Sequence, residues 1–316
     1  MKRLPLVLFV LLVLASPAGG GGNVSGGYPV VFMHDHLCPF ATPGGQMVPG
    51  DCGRGEIALI QPDGSGLGIL THDKVSESSP RWSPDRREIA FFRPRQKPPV
   101  TAQIWLMAAD GTHQRALTRL HRIQLFATDV EAQDLDWAPN GRAILFSADP
   151  ASPPSKGVPE QLYLANARSG AVTRLTWTPS SDSGPAWSPN GRWIVFTRDP
   201  AAHRPLPSQI FRLSTSNHRL QQLTYGKVYS SGQAGWSPDS RHIVFSDGRG
   251  LLVMNADGSH VRSLKVWGMT PSWSADGRWI VFSTDDGLER VRPDGSGRQV
   301  ITHVRSQWWE DAATDW

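Results

Sequence analysis

Residues Pro185 to Phe196 read PAWSPNGRWIVF. A short apolar arm ends on Trp187, and Ser188-Pro189-Asn190-Gly191 follows. Proline presets φ for the second position of a tight turn, asparagine tolerates the third, and glycine supplies positive φ at the exit. Trp193, Ile194, Val195 and Phe196 form a β-branched and aromatic run, the composition of a strand. The stretch therefore reads as a β-hairpin with Trp187 on its first arm.

The hairpin recurs as PRWSPDRREIAFF from Pro80, LDWAPNGRAILF from Leu135, AGWSPDSRHIVF from Ala234 and PSWSADGRWIVF from Pro271. A sixth copy ends the chain as ATDW. The anchors are Trp82, Trp137, Trp187, Trp236, Trp273 and Trp316, at spacings of 55, 50, 49, 37 and 43 residues. A repeat of roughly 40–50 residues made of strands predicts propeller blades. Between the hairpins lies a second motif, as in IWLMAADGTHQRALT from Ile104, LYLANARSGAVTRLT from Leu162, IFRLSTSNHRLQQLT from Ile210 and LLVMNADGSHVRSL from Leu251. Two hairpins in succession make the four antiparallel strands, a to d, of one blade. The expected fold is all-β, with little helix, because no long stripe of 3.6-residue period occurs.

The two ends complement each other. Residues 28–33 look like a second hairpin arm without a first, and Ala313 to Trp316 like a first arm without a second. The prediction is a six-bladed propeller whose closing blade takes strand a from the C-terminus and strands b, c and d from about 28–33, 56–61 and 67–71. Such closure removes both sheet edges. The five other blades are expected over 78–118, 133–176, 184–224, 233–265 and 270–302.

Ahead of residues 28–316, assigned to the propeller, residues 1–22 read as an export signal. Lys2 and Arg3 are its positive start, Leu6 to Leu14 its apolar core and Ser16-Pro17-Ala18 a small-residue cleavage site. Residues 23–27 extend a Gly-rich leader. The apolar core is too short for an ordinary span, so no membrane span is expected after signal removal. The net charge of +4 falls to about +2 without Lys2 and Arg3, and the arginines form no basic stripe, so nucleic acid is not an expected partner. Cys38 and Cys52 are the only cysteines. In an exported chain such a pair most simply forms one disulfide; two thiols or a metal pair is the alternative, though the spacing matches no zinc pattern.

The pattern W-S-P-D/N-G-x-x-I-x-F, followed by a D-G turn and L-T, resembles the WD-like β-propeller repeat of TolB and its relatives. The resemblance covers nearly all of the chain after residue 27 and concerns the propeller alone, without the α/β domain that precedes it in TolB. It implies a six-bladed propeller of the bacterial periplasm used to bind other proteins. The same repeat accompanies α/β-hydrolase domains in oligopeptidases, but no G-x-S-x-G elbow is present.

Topology puts the a–b and c–d turns on one face and the b–c and d–a connections on the other. All long insertions fall in the second set: 34–55, 94–102, 119–132, 148–160 and 198–208. Elaborated loops on a rigid scaffold are where binding concentrates. At the channel mouth, Glu77, Glu131, Asp134, Asp182, Glu310 and Asp311 are candidates for an acidic ring. His34, Asp35 and His36 are the candidate ligands of a divalent cation there, against a reading as a solvated rim. The residues preceding each Trp, in ring order Asp315, Arg81, Asp136, Ala186, Gly235 and Ser272, place a charged arc opposite a small one. That arc could form an Asp–Arg–Asp bridge or grip a polar ligand.

No catalytic set is recognisable and no cofactor is expected. The favoured reading is an exported, monomeric protein- or peptide-interaction module. The alternatives are a metal-dependent hydrolase or lyase at the channel mouth, and a carbohydrate- or polymer-binding propeller using Trp308 and Trp309.

Overall fold

In the computed structural model the described residues are 29–41, 47–72, 75, 77–94, 102–118, 135–148, 159–200, 207–225 and 234–302, with the backbone alone for 33–41 and 47–54. They form six antiparallel sheets and no helix. Blade 1 contains β4 (Ser78–Trp82), β5 (Glu88–Pro94), β6 (Ala102–Ala108) and β7 (Arg115–Ala116). Blade 2 contains β8 (Leu135–Trp137), β9 (Ala143–Ala148), β10 (Gln161–Asn166) and β11 (Val172–Arg174). Blade 3 contains β12 (Ser181–Trp187), β13 (Trp193–Asp199), β14 (Gln209–Ser214) and β15 (Leu220–Gln222). Blade 4 contains β16 (Gly235–Trp236), β17 (His242–Ser246), β18 (Leu251–Asn255) and β19 (Arg262–Ser263). Blade 5 contains β20 (Met269–Trp273), β21 (Ile280–Thr284), β22 (Gly287–Val291) and β23 (Gln299–Thr302). The closing sheet orders β1 (Val30–Ala41), β2 (Met47–Ile60) and β3 (Gly68–Ile69). Its expected fourth strand, with Trp316, lies outside the described residues.

Strand b of every blade is a continuous apolar run because both of its faces are covered, as in other sheets packed on two sides. Successive side chains point to opposite faces. Ile89 and Phe91 therefore pack toward the closing blade, with Val31, Ile57 and Trp82, while Ala90 and Phe92 pack toward blade 2, with Trp137, Ile144 and Phe146. The same division repeats around the ring and yields six apolar cores, one per blade–blade interface. In the sixth, Val30, Phe32, Ala58 and Ile60 of the closing blade meet Val281, Leu288 and Ile301 of blade 5, so the ring closes.

The Leu-Thr that ends the outer strand of four blades has a defined task. Thr71, Thr118, Thr176 and Thr224 each accept, through Oγ1, the backbone N–H of a residue 14 positions earlier: Ile57, Ile104, Leu162 and Ile210. The hydroxyl prolongs a ladder that strand d is too short to provide. The c–d turn then presses on the neighbouring blade. Gly170 has φ +69°, and a Cβ there would lie 2.0 Å from the Leu117 carbonyl oxygen of blade 1. Glycine is required both for the left-handed backbone and for the close approach.

One expectation needs correction. Residues 34–55 do not form a loop: β1 and β2 continue past the sheet as a long hairpin, pairing from Val30↔Ile60 to Ala41↔Met47. The ladder runs on because alternate residues keep exchanging backbone hydrogen bonds, with one irregularity between Asp35 and Leu37. The other long insertions lie largely outside the described residues.

Candidate functional site

The a strands stand at the axis, and a cavity of about 310 Å³ opens between them. Its wall includes Arg81, Asp136, Ala186, Gly235 and Ser272, the residue before the Trp in each of blades 1 to 5. Arg86, Pro189, Pro238 and Ala275 from the a–b turns complete the rim, so the cavity opens on the short-turn face. The chain bends as it reaches this edge. Ser79, Gly184 and Thr270, each three residues before a Trp, have φ of 52°, 59° and 46°, and each sits at a register irregularity of strand a.

Arg81 and Asp136 occupy neighbouring inner strands without bridging. Asp136 accepts the backbone N–H groups of Trp137, through Oδ1 at 2.8 Å, and Trp187, through Oδ2, and so ties blade 2 to blade 3. Arg81 is only 6% exposed. It donates one hydrogen bond, from Nη1 to the Pro80 carbonyl at 3.0 Å, and makes no ion pair with a carboxylate among the described residues. Asp315, the third member of the expected arc, lies outside the described residues.

The repeated Trp residues pack as core, with polar ties of their own. The indole N–H groups of Trp82, Trp137 and Trp236 donate to the carbonyls of Pro29, Arg81 and Ala186. Trp187 and Trp273 have buried indole N–H groups with no acceptor among the described residues, and Trp187 is only half-buried.

Glu77 and Asp182 do not line an open rim. Each stands five residues before its Trp, is fully buried, and faces the arginine eleven residues after that Trp. Asp182 takes a forked pair from Arg198, Nε to Oδ1 at 2.6 Å and Nη2 to Oδ2 at 2.9 Å. Glu77 is held more loosely. Thr71 Oγ1 donates to its Oε2 at 3.0 Å, while Arg93 Nε stands 3.6 Å from Oε1, too far for a hydrogen bond. Burial pushes the Glu77 carboxyl up to about 7, against the pull of the Thr71 hydroxyl and with help from the neighbouring Glu56 carboxylate. The signal for both pairs was in the repeat register: only blades 1 and 3 carry an acid and an arginine at those two positions.

Glu131, Asp134, Glu310 and Asp311 lie outside the described residues, as do Trp308 and Trp309. His34 and Asp35 occupy register positions opposite Glu56 and Gly55, with His36 at the irregularity that follows. Cys38 pairs with Gly50, two residues before Cys52, so the cysteines sit on the two arms of one hairpin. Among the described residues no three His, Cys, Asp or Glu side chains are placed to share a metal ion. The Asp-Gly turns are closed by their own side chains: Asp63, Asp110, Asp257 and Asp294 accept from the hydroxyl or backbone of a Ser or Thr two residues on. Those bonds hold all four carboxyls below their ordinary range.

The long-loop face carries features that sequence reasoning missed. Trp177 and Tyr225 follow directly on the Leu-Thr of blades 2 and 3 and are 70% and 71% exposed. A cavity of about 400 Å³ in blade 3 is lined by Ser180, Arg198, Pro200, Pro207, Gln209 and Phe211, with Gln222 completing the wall. The Tyr225 hydroxyl donates to the Gln222 carbonyl. Their signal was an aromatic residue after L-T, readable once the repeats are aligned.

Six antiparallel sheets closed around an axial cavity define a six-bladed β-propeller. Residues 56–308 match the family described as the TolB beta propeller domain, and the chain belongs to that family. A stretch of 87 residues is 33% identical to Tol-Pal system protein TolB 1 of Novosphingobium aromaticivorans; it spans 28% of this chain and 17% of that relative. The crystal structure of TolB from Acinetobacter baumannii superposes with a TM-score of 0.65 at 21% identity, over 93% of this chain and 67% of the other. A chain of a nidogen/laminin complex gives 0.63 at 9% identity, over 86% and 92%. These two structural likenesses establish the fold alone.

Proposed function

We propose that the protein is an exported interaction module of the bacterial cell envelope that engages a protein or peptide with its long-loop face. The observation that carries the reading is the pair Trp177 and Tyr225. Large aromatic side chains are costly to leave in water, and at repeat-equivalent positions of adjacent blades they make a two-point apolar anchor. The blade 3 cavity, whose Gln222 accepts from the Tyr225 hydroxyl, offers an ion-paired guanidinium, two amides and two prolines, a lining suited to an extended peptide. Membership of a family that includes Tol-Pal system proteins supports a periplasmic setting, as does the export signal read in residues 1–22. The proposal includes a Cys38–Cys52 disulfide, which fits an oxidising compartment.

The test is site-specific photocrosslinking in intact envelopes. A photoreactive phenylalanine analogue at 177 or 225 is expected to trap a discrete protein partner, and one at Asn190, on the opposite face, is expected to trap none. Crosslinks from 190 but not from 177 or 225 would overturn the assignment of the face, and so would silence from all three.

A further inference from the structure

We propose that the axial cavity on the short-turn face binds a small organic carboxylate with a flat apolar body. Arg81 is the central observation. Its guanidinium has five N–H donors and, among the described residues, uses one atom, Nη1, on a single carbonyl, although the residue is only 6% exposed. An unpaired buried charge is unfavourable unless an opposite charge joins it. Asp136, on the adjoining strand, accepts backbone N–H groups through both oxygens and forms no ion pair with Arg81.

The remainder of the wall is short of acceptors and rich in flat apolar surface. Trp187 and Trp273, whose indole N–H groups lack acceptors among the described residues, both line the cavity, together with Trp236 and prolines from three blades. An anion is favoured by the guanidinium, and a planar apolar body by the indole and proline surfaces. A carboxylate fits better than a phosphate, because a single guanidinium balances one negative charge and the wall already includes one carboxylate side chain, Asp136. The volume of about 310 Å³ suits a ring bearing one such group. This site is on the face opposite Trp177 and Tyr225 and stands or falls independently of a protein partner there.

Calorimetric titration of the purified full chain with benzoate, indole-3-acetate and the uncharged isostere benzamide tests the proposal. Saturable one-site binding of at least one carboxylate is expected, with benzamide at least tenfold weaker than benzoate. Arg81→Met is expected to weaken carboxylate binding at least tenfold and Arg81→Lys to weaken it less. The Met variant is expected to melt no lower than the parent, since it removes an unpaired buried charge; that reading reports folding separately from binding. The proposal is overturned if neither carboxylate saturates, if benzamide equals benzoate, or if Arg81→Met binds as the parent does. Carboxylate binding seen only in Asp315→Asn would also overturn it, because the chain's own carboxylate would then fill the site.

Discussion

Glu77 shows how one repeat position changes character with its partner. Its folded pKa of about 7 stands above the ordinary 4.5 because burial disfavours the carboxylate. Between those values the folded chain holds a proton that the unfolded chain has released. The stability tied to that proton is complete below pH 4.5 and is lost as the pH rises through 7. Urea unfolding is therefore expected to show lower stability at pH 8 than at pH 5, by at most about 3 kcal/mol, and Glu77→Gln should flatten that slope. Asp182 occupies the equivalent place in blade 3 with a fully engaged arginine. Arg198→Ala strands a buried carboxylate and is expected to cost about 3–5 kcal/mol, whereas replacing both partners by apolar residues of similar volume should recover most of that loss. Denaturant midpoints of the single and double variants check it.

At the scale of the element, the repeated motifs have physical assignments. The Ser-Pro-Asp/Asn-Gly turn is held by its own side chains: Ser188, Ser237 and Ser274 each donate to the Asn or Asp two residues on, whose Oδ1 accepts a backbone N–H beyond it. Such turns were readable because their own side-chain bonds are local, with one tie, from the Asn190 N–H to Ser240 Oγ, reaching blade 4. The contact made by the c–d turn was not, since the carbonyl it meets belongs to another blade. Gly170→Ala is expected to destabilise by about 2–4 kcal/mol, through left-handed strain and a backbone clash with Leu117 that no rotamer relieves. Gly141, whose added Cβ meets nothing within 4 Å, isolates the strain: Gly141→Ala should cost only about 1 kcal/mol. Thermal melts of the two variants separate strain from contact. The β1–β2 hairpin was illegible for a related reason. Its residues alternate no better than a loop's, and mutual pairing extends them.

For the molecule as a whole, the ring is the unit of stability. Phe32 sits in the core that joins the closing blade to blade 5. Phe32→Ala is expected to cost about 3–5 kcal/mol and to lower the single melting transition of the entire propeller, because opening one interface exposes two sheets. Calorimetry showing an unchanged main transition and a separate early one would mean that the closing blade folds alone. The ring also separates two faces, and the two proposals use one each: exposed aromatics beside long loops, and a buried guanidinium among short turns.

The sequence by itself determined the blade count, the order of strands, the turn chemistry and the place of the Trp residues in blades 1 to 5. Each of these depends on local propensity and on a pattern repeated often enough to average out its exceptions. Only the tertiary structure decided which charges are buried, which glycines touch a neighbour's backbone and which aromatics remain in water. Those outcomes depend on what the adjoining blade presents across the interface, some 50 residues away along the chain.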